Sequence, residues 1–351
     1  MSYSEWPFTQ VYDERQMQRY VAARQPELVN IEEVCRMAGV SFDAGAASLP
    51  SPARPLGNED EVLIMRGRDE RGGPNGTPFY AVFDGMGGHE LPEYAAVIGH
   101  MAMRQMFDWA GMVMEPGTAR KTMADALMSA HGSVASFAGR YRHDIGSTVV
   151  AARPFMTPNG VWMLAVGHAG DSRLLEFAED GQVYQLTIDH SAIRGWDAEK
   201  QRRFAVAERL NDLPKAERKQ FLEERHGIVA DLGHPVHRSE GLFRYKTQVY
   251  ELMFGSTYVL CTDGVTDPLT YPQMQEIVGA AKPVGAAYAL VDRAQRVYGQ
   301  ELAPRRIWGM FNVAGKTFRG KRDDASAIVF RATKAYAQRS RAQVDFAGLP
   351  R

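Results

Sequence analysis

Cysteine is scarce in this 351-residue chain, which carries only Cys35 and Cys261. A disulfide framework is excluded, and a reducing compartment, the cytoplasm, is expected. Net charge is also missing, because 41 Lys and Arg stand against 42 Asp and Glu. Neither a basic stripe nor an acidic tail dominates, so nucleic acid is not expected as a partner. No long uncharged apolar run occurs. The greasiest stretch, residues 95–114, is interrupted by His100, Arg104 and Asp108, so it reads as a buried or amphipathic helix and no membrane partner is expected. The opening MSYSEWPFTQ places acidic and aromatic residues where a secretory signal has a basic and then an apolar segment, so export by that route is not expected. What remains is ordinary globular material, 45% apolar and 24% charged, long enough for a sizeable core.

Residues 1–40 read as an N-terminal extension of unassigned role with two helical patches, Glu14 to Ala23 and Ile31 to Ala38. The Ala-, Ser- and Pro-rich run from Ala44 to Pro55 reads as a loop. Strands are expected at Glu61 to Arg66 and Pro78 to Phe83, joined as a hairpin across RGGPNGTP. Two helices, 92–114 and 118–140, follow as antiparallel neighbours broken at Pro116-Gly117. Four β-rich runs then occur at 147–153, 161–166, 173–177 and 183–186. Residues 196–225 form a helical stretch whose eight Lys/Arg and seven Asp/Glu balance, as on a solvated face. A strand at 257–261, helices at 271–278 and 284–298, and a strand at 326–330 complete the pattern. Strands interrupted by paired helices, without βαβ alternation, imply an α+β fold with mostly antiparallel sheets.

Acidic residues cluster where apolar strands stop or start: Asp84 after FYAVF, Asp171 after WMLAVGHAG, Asp263 after TYVLCT, and Asp323 with Asp324 before SAIVF. Carboxylates at strand ends sit on rigid scaffolding beside loop openings, as a hard-cation site needs. Each fragment alone is more often a turn than a ligand. The ordered series is specific: NED at 58–60, VFDGMGG at 82–88, GST at 146–148, GHAGDSR at 167–173, LTIDHS at 186–191, LCTDGVTD at 260–267 and RDDASAIVF at 322–330. This series, spanning about residues 58–330, resembles the PP2C-type (PPM) metal-dependent protein serine/threonine phosphatases, and its DGMGG and GHxGDSR forms are similar to the bacterial branch.

The resemblance implies a two-sheet antiparallel β-sandwich flanked by helices, in α-β-β-α layers, over residues 41–335, followed by a basic tail at 336–351. It implies two Mn²⁺ or Mg²⁺ ions, with Asp84 bridging them, Gly85 contributing its carbonyl, and Asp263 and Asp323 completing the first. Glu59 corresponds to the residue that orients water at the second ion, and Asp60 to its supporting neighbour. Asp171, Asp263 and Asp267 match residues that hold a third, looser ion. An all-oxygen donor set agrees with Mg²⁺ or Mn²⁺ over Zn²⁺. The implied reaction is hydrolysis of phosphoserine and phosphothreonine by a dimetal-activated water without a phosphoenzyme. Cys261, inside an apolar strand, reads as a core thiol and not a nucleophile.

Three departures from the family pattern stand out. Arg54, the candidate phosphate-binding arginine, lies five residues before Glu59 instead of four. Met86 occupies the position of the eukaryotic general acid and cannot donate a proton; His89 is an alternative donor that also reads as a surface imidazole. His168 reads as structural. Residues 192–250 are a long charged flap, read either as a partner-selecting element or as a cover for a sheet edge. Arg305, Arg306, Lys316, Arg319, Lys321 and Arg322 lead into Asp323 and could attract phosphopeptide or simply be solvated. The expected partners are a phosphorylated protein and a serine/threonine kinase or its targets. The competing reading is a silent PP2C-like domain that serves as a phosphoprotein-binding or scaffold module. Retention of Asp84, Asp263 and Asp323 favours the enzyme.

Overall fold

The computed structural model describes residues 11–25, 27–55, 57–66, 76–86, 91–107, 112–193, 195–224, 227–234, 245–300 and 323–334. His89, the basic run 305–322 and the tail 336–351 lie outside these residues. The strands form two antiparallel sheets. One holds β1 (Leu28–Met37), β2 (Val40–Leu49), β11 (Ala325–Lys334), β10 (Thr257–Cys261), β7 (Arg173–Phe177) and β8 (Val183–Gln185), in that spatial order. The other holds β3 (Asp60–Arg66), β4 (Pro78–Gly85), β5 (Ser147–Met156), β6 (Trp162–Ala169) and β9 (Lys246–Glu251).

Side-chain alternation along the strands separates three apolar layers. On β4, Tyr80 and Val82 face the inter-sheet core with Ile328 and Phe330 of β11, and the Tyr80 and Phe330 rings stack at 4.4 Å. Phe79, Ala81 and Phe83 face the opposite way, onto α2 (Pro92–Phe107) and α3 (Pro116–Tyr141). Ala327 and Val329 likewise face α7 (Tyr271–Ala280) and α8 (Pro283–Gln300). The result is the expected α-β-β-α sandwich. At about 25 cal/mol per Å² of apolar surface, these three interfaces supply most of the favourable term in folding.

Several sequence expectations are corrected. Residues 31–38 are not helical: β1 pairs with β2 through a two-residue turn at Ala38 and Gly39, both with positive φ, as a tight hairpin requires. The boundary placed at residue 41 therefore falls inside β2, and β1 belongs to the sheet. The Ala/Ser/Pro run read as a loop from Ala44 continues β2 as far as Leu49. Its small residues have a packing reason, since a Cβ on Gly45 would lie 2.2 Å from the Val284 Cα of α8. The charged stretch forms α4 (Ala198–Val206) and α5 (Lys215–Glu224), closed over a small core of Ile193, Phe204, Leu213 and Phe221. The flap's last residues are β9, which pairs with β6 at the sheet edge. Among the described residues no helix is long and apolar enough to cross a membrane.

Candidate metal and phosphate site

Asp84 terminates β4, where the register sets it opposite Asp60 of β3 on one side and Thr148 of β5 on the other. Asp84 and Asp60 are both buried. Gly85 follows with no room for a side chain: a Cβ there would meet the Pro92 carbonyl oxygen at 2.5 Å and that of Glu59 at 2.7 Å. Its N–H donates to the Glu59 carbonyl at 3.1 Å, locking the Asp-Gly turn to the NED segment. The Met86 N–H donates to the Gly146 carbonyl at 2.9 Å.

The second sheet brings its acids to the same end. Asp263 opens the short helix α6 (Asp263–Thr266) directly after β10, and Asp267 caps it by donating its N–H to the Asp263 carbonyl at 2.8 Å. Thr262 spans the two sheets, donating its hydroxyl to Asp60 Oδ2 at 3.0 Å and accepting from the Ser326 N–H at 3.1 Å. Gly264 is required because a Cβ there would lie 1.8 Å from the Asp324 carbonyl oxygen. Asp171 lies between β6 and β7 beside Gly170, whose φ of +101° lets the turn pass against Thr148.

Arg54 reaches this cluster despite its displaced position in the sequence. Its guanidinium pairs with Glu59 and lies 3.4 Å from Asp324 Oδ2 and 3.8 Å from Asp323 Oδ1. Asp324, noted in the sequence among the strand-end acids but given no role there, is the buried anchor of this arrangement. It accepts from the Ser51 N–H at 2.5 Å and the Glu59 N–H at 2.7 Å, so the loop bearing Arg54 is tied to the start of β11. Arg24 is a residue that sequence reasoning missed. Together Arg24, Arg54, Asn58, Glu59 and Glu93 wall a cavity of about 230 Å³.

Burial pushes the Asp60 carboxyl well above the usual range, and the neighbouring charges of Asp324 and Asp323 push in the same direction. Asp324 is raised to about 6, chiefly by burial, against the lowering effect of the Ser51 N–H and Arg54. Among the described residues, Glu59 Oε2 and Asp60 Oδ1 are buried without a hydrogen-bond partner. Buried carboxylate oxygens left in this state are costly unless a cation satisfies them. The donor set fits a hard divalent ion because it is all oxygen. Among the described residues no three His, Cys, Asp or Glu side chains close on one point as a complete cage. Mg²⁺-type sites, which retain several waters, use few protein ligands.

Other motif residues are structural. Arg173 and Asp189 form a buried bidentate pair, with Nε and Nη2 at 3.0 and 2.7 Å from the carboxylate oxygens. His168 Nε2 lies 2.9 Å from the Ile188 carbonyl and stacks on His190, and burial lowers its pKa. Cys261 is fully buried and its thiol is pushed up to about 12 by desolvation, which removes it as a nucleophile.

The two sheets bring acidic residues of several segments to one end of the sandwich, beside Arg54. Residues 57–202 match the family model of PP2C, protein phosphatase 2C. The serine/threonine protein phosphatase PstP of Mycobacterium tuberculosis is 25% identical over 242 residues, which cover 68% of this chain and 41% of that protein. The chain thus spans about two fifths of the length of the curated relatives it matches. Among solved structures, the catalytic domain of PstP in complex with two manganese ions superposes with a TM-score of 0.58 at 20% identity, over 84% of this chain and 99% of that one. The S. agalactiae serine/threonine phosphatase gives 0.60 at 16% identity, over 83% and 99%. Residues 57–202 thus resemble protein phosphatase 2C, and the fold is shared with these phosphatase structures.

Proposed function

We propose that the protein hydrolyses phosphoserine and phosphothreonine on proteins, using two Mn²⁺ or Mg²⁺ ions held at the Asp84 end of the sandwich. The observation that carries this reading is the convergence of separate acidic segments around Glu59 and Asp60, each of which has one buried oxygen without a hydrogen-bond partner among the described residues. Asp84, the Gly85 carbonyl, Asp263 and Asp323 would hold one ion, with Asp84 shared with the second; Glu59 and Asp60 would support the second. Asp171 and Asp267 stand with Asp263 as the candidates for a third. When bound, such ions acidify water and neutralise phosphoryl oxygens, so no covalent enzyme intermediate is required. Arg54 orients the phosphate through its planar guanidinium, and its present pairing with Glu59, Asp323 and Asp324 keeps that group aimed at the acidic cluster.

The flap's balanced charge and its own small core suit it to select among phosphorylated partners, a serine/threonine kinase or its targets among them. Two buried unpaired cysteines agree with the cytoplasm as the working compartment. The contacts of Arg54 with Glu59, Asp323 and Asp324 support the enzyme over the competing scaffold reading. The test is release of phosphate from a phosphothreonine peptide with Mn²⁺, Mg²⁺ or EDTA. Metal-dependent release is expected; undiminished release in EDTA would overturn the proposal.

A further inference from the structure

We infer that Arg24, at the end of the N-terminal helix, is a positioning residue for the second metal site, clamping the backbone on both sides of Glu59. This rests on the metal-dependent reading above. Helix α1 (Glu14–Ala23) begins with a capping box, in which the Asp13 carboxylate accepts from the Arg15 and Gln16 N–H groups. Tyr12 and Met17 are buried in the same core as Tyr94 of α2 and Phe137 of α3, and the Glu14 N–H donates to the Tyr141 hydroxyl at 3.3 Å. The helix is therefore fixed to the outer helical layer, and its C-cap Arg24 leaves it in extended conformation.

From that fixed base the Arg24 side chain, 10% exposed, enters the start of β3. Nη2 donates to the Asn58 carbonyl at 2.7 Å and to the Asp60 carbonyl, the carbonyls of the residues on either side of Glu59. Nε lies 3.0 Å from Glu61 Oε1, and Glu61 Oε2 lies 3.2 Å from His100 Nδ1 on α2. One guanidinium thus ties α1, and through Glu61 and His100 also α2, to the acidic segment that faces the candidate ions. A planar, always charged fork can grip two carbonyls and a carboxylate at once; no other side chain offers that geometry. Glu61 points away from the site, because neighbouring strand residues alternate, so the network holds β3 from behind while Asp60 faces the cluster. Loosening residues that orient metal ligands typically weakens metal binding by about 10–100-fold.

The test uses the whole chain. Mn²⁺ binding is measured by electron paramagnetic resonance of the free ion, alongside the Mn²⁺ dependence of phosphopeptide hydrolysis. For Arg24→Ala the Mn²⁺ concentration for half-saturation is expected to rise about tenfold in both assays, at the low end of that range. Arg24→Lys, which retains charge but cannot grip both carbonyls and Glu61 together, is expected to fall between the two. Val278→Ala, buried in the opposite helical layer, controls for lost stability and should leave the constant unchanged. If Arg24→Ala matches the wild type, or shifts no more than Val278→Ala at equal loss of stability, the positioning role is overturned. If the wild type binds no Mn²⁺, this inference and the metal reading both fall. Metal binding without hydrolysis would sink the proposed activity alone.

Discussion

His234 sits between two carboxylates and holds the returning end of the flap beside the candidate site. Its Nε2 lies 2.7 Å from Asp144 Oδ1 and its Nδ1 2.9 Å from Asp231 Oδ1, and a Cβ on Gly146 would strike the ring at 2.6 Å. The flanking Leu232 exchanges both backbone hydrogen bonds with Ser147, at 2.7 and 3.1 Å. Hydrogen bonding to Asp231 leads the causes that raise the imidazole from 6.5 to about 9, with partial burial opposing and Asp144 adding to the rise. His131, the other titratable group in this packing, is lowered to about 4 by burial and stays neutral at the pH values that matter.

Because the folded value exceeds the unfolded one, the stabilisation is complete below about pH 6.5 and is lost as pH rises through about 9. A tenfold change in proton affinity is worth about 1.4 kcal/mol, which sets a ceiling of roughly 3 kcal/mol. Asp144 is 66% exposed, so its share is screened by solvent. About 1–2 kcal/mol is the expected contribution. Urea unfolding of wild type and His234→Gln is the assay. The stability gap should be about 1–2 kcal/mol at pH 6.5, shrink towards zero by pH 9.5, and narrow at high salt. If the two proteins lose stability in parallel between pH 6.5 and 9.5, the charged latch does not exist.

Asp84→Asn should abolish metal-dependent turnover by on the order of 100-fold or more while the far-UV circular dichroism stays native. In EDTA the same variant should melt no lower than wild type, because one repelling carboxylate is gone; near-wild-type kcat at saturating Mn²⁺ would show that the ligand assignment is wrong. Arg173→Met removes one partner of the buried pair and leaves Asp189 charged in a dry interior, so a loss of about 3–5 kcal/mol in urea unfolding is expected. The double variant with Asp189→Leu should recover most of it, and failure to recover would assign Arg173 a role outside that pair. Gly264→Ala should cost more than about 3 kcal/mol or prevent folding, since its Cβ meets backbone and not a movable side chain. A soluble Gly264→Ala protein with unchanged thermal stability would refute that close approach.

The layered fold was legible because strand alternation and helix periodicity are local signals, and β7 and β10 have the bounds that their apolar runs define. The candidate acids were legible only as an ordered series that resembles a known family, since each strand-end Asp alone reads as a turn. β1 and β2 were not legible. The strand character of β2 is set by its sheet partner β11, almost three hundred residues away, and by α8 pressing on Gly45, and β1 follows as the strand paired to β2, so composition pointed elsewhere. β9 was hidden for a similar reason: its half-exposed, polar residues form a strand because β6 offers an open edge.

The residues that hold the site divide along the same line. Asp84 and Asp263 announce themselves through the glycine that each needs beside it, and that glycine is demanded by a backbone from elsewhere: Glu59 and Pro92 at Gly85, and Asp324 at Gly264. Arg24, Asp324 and His234 leave no such mark, because each acts through a side chain that spans a long stretch of sequence to reach Asn58, Ser51 and Asp144. Close backbone approach constrains the chain at the position where it occurs, so it writes a short motif. A buried guanidinium or carboxylate that clamps a distant carbonyl or N–H constrains only the tertiary structure. Metal-dependent chemistry needs both kinds, since an acid fixed to a strand end still moves unless the segment behind it is held.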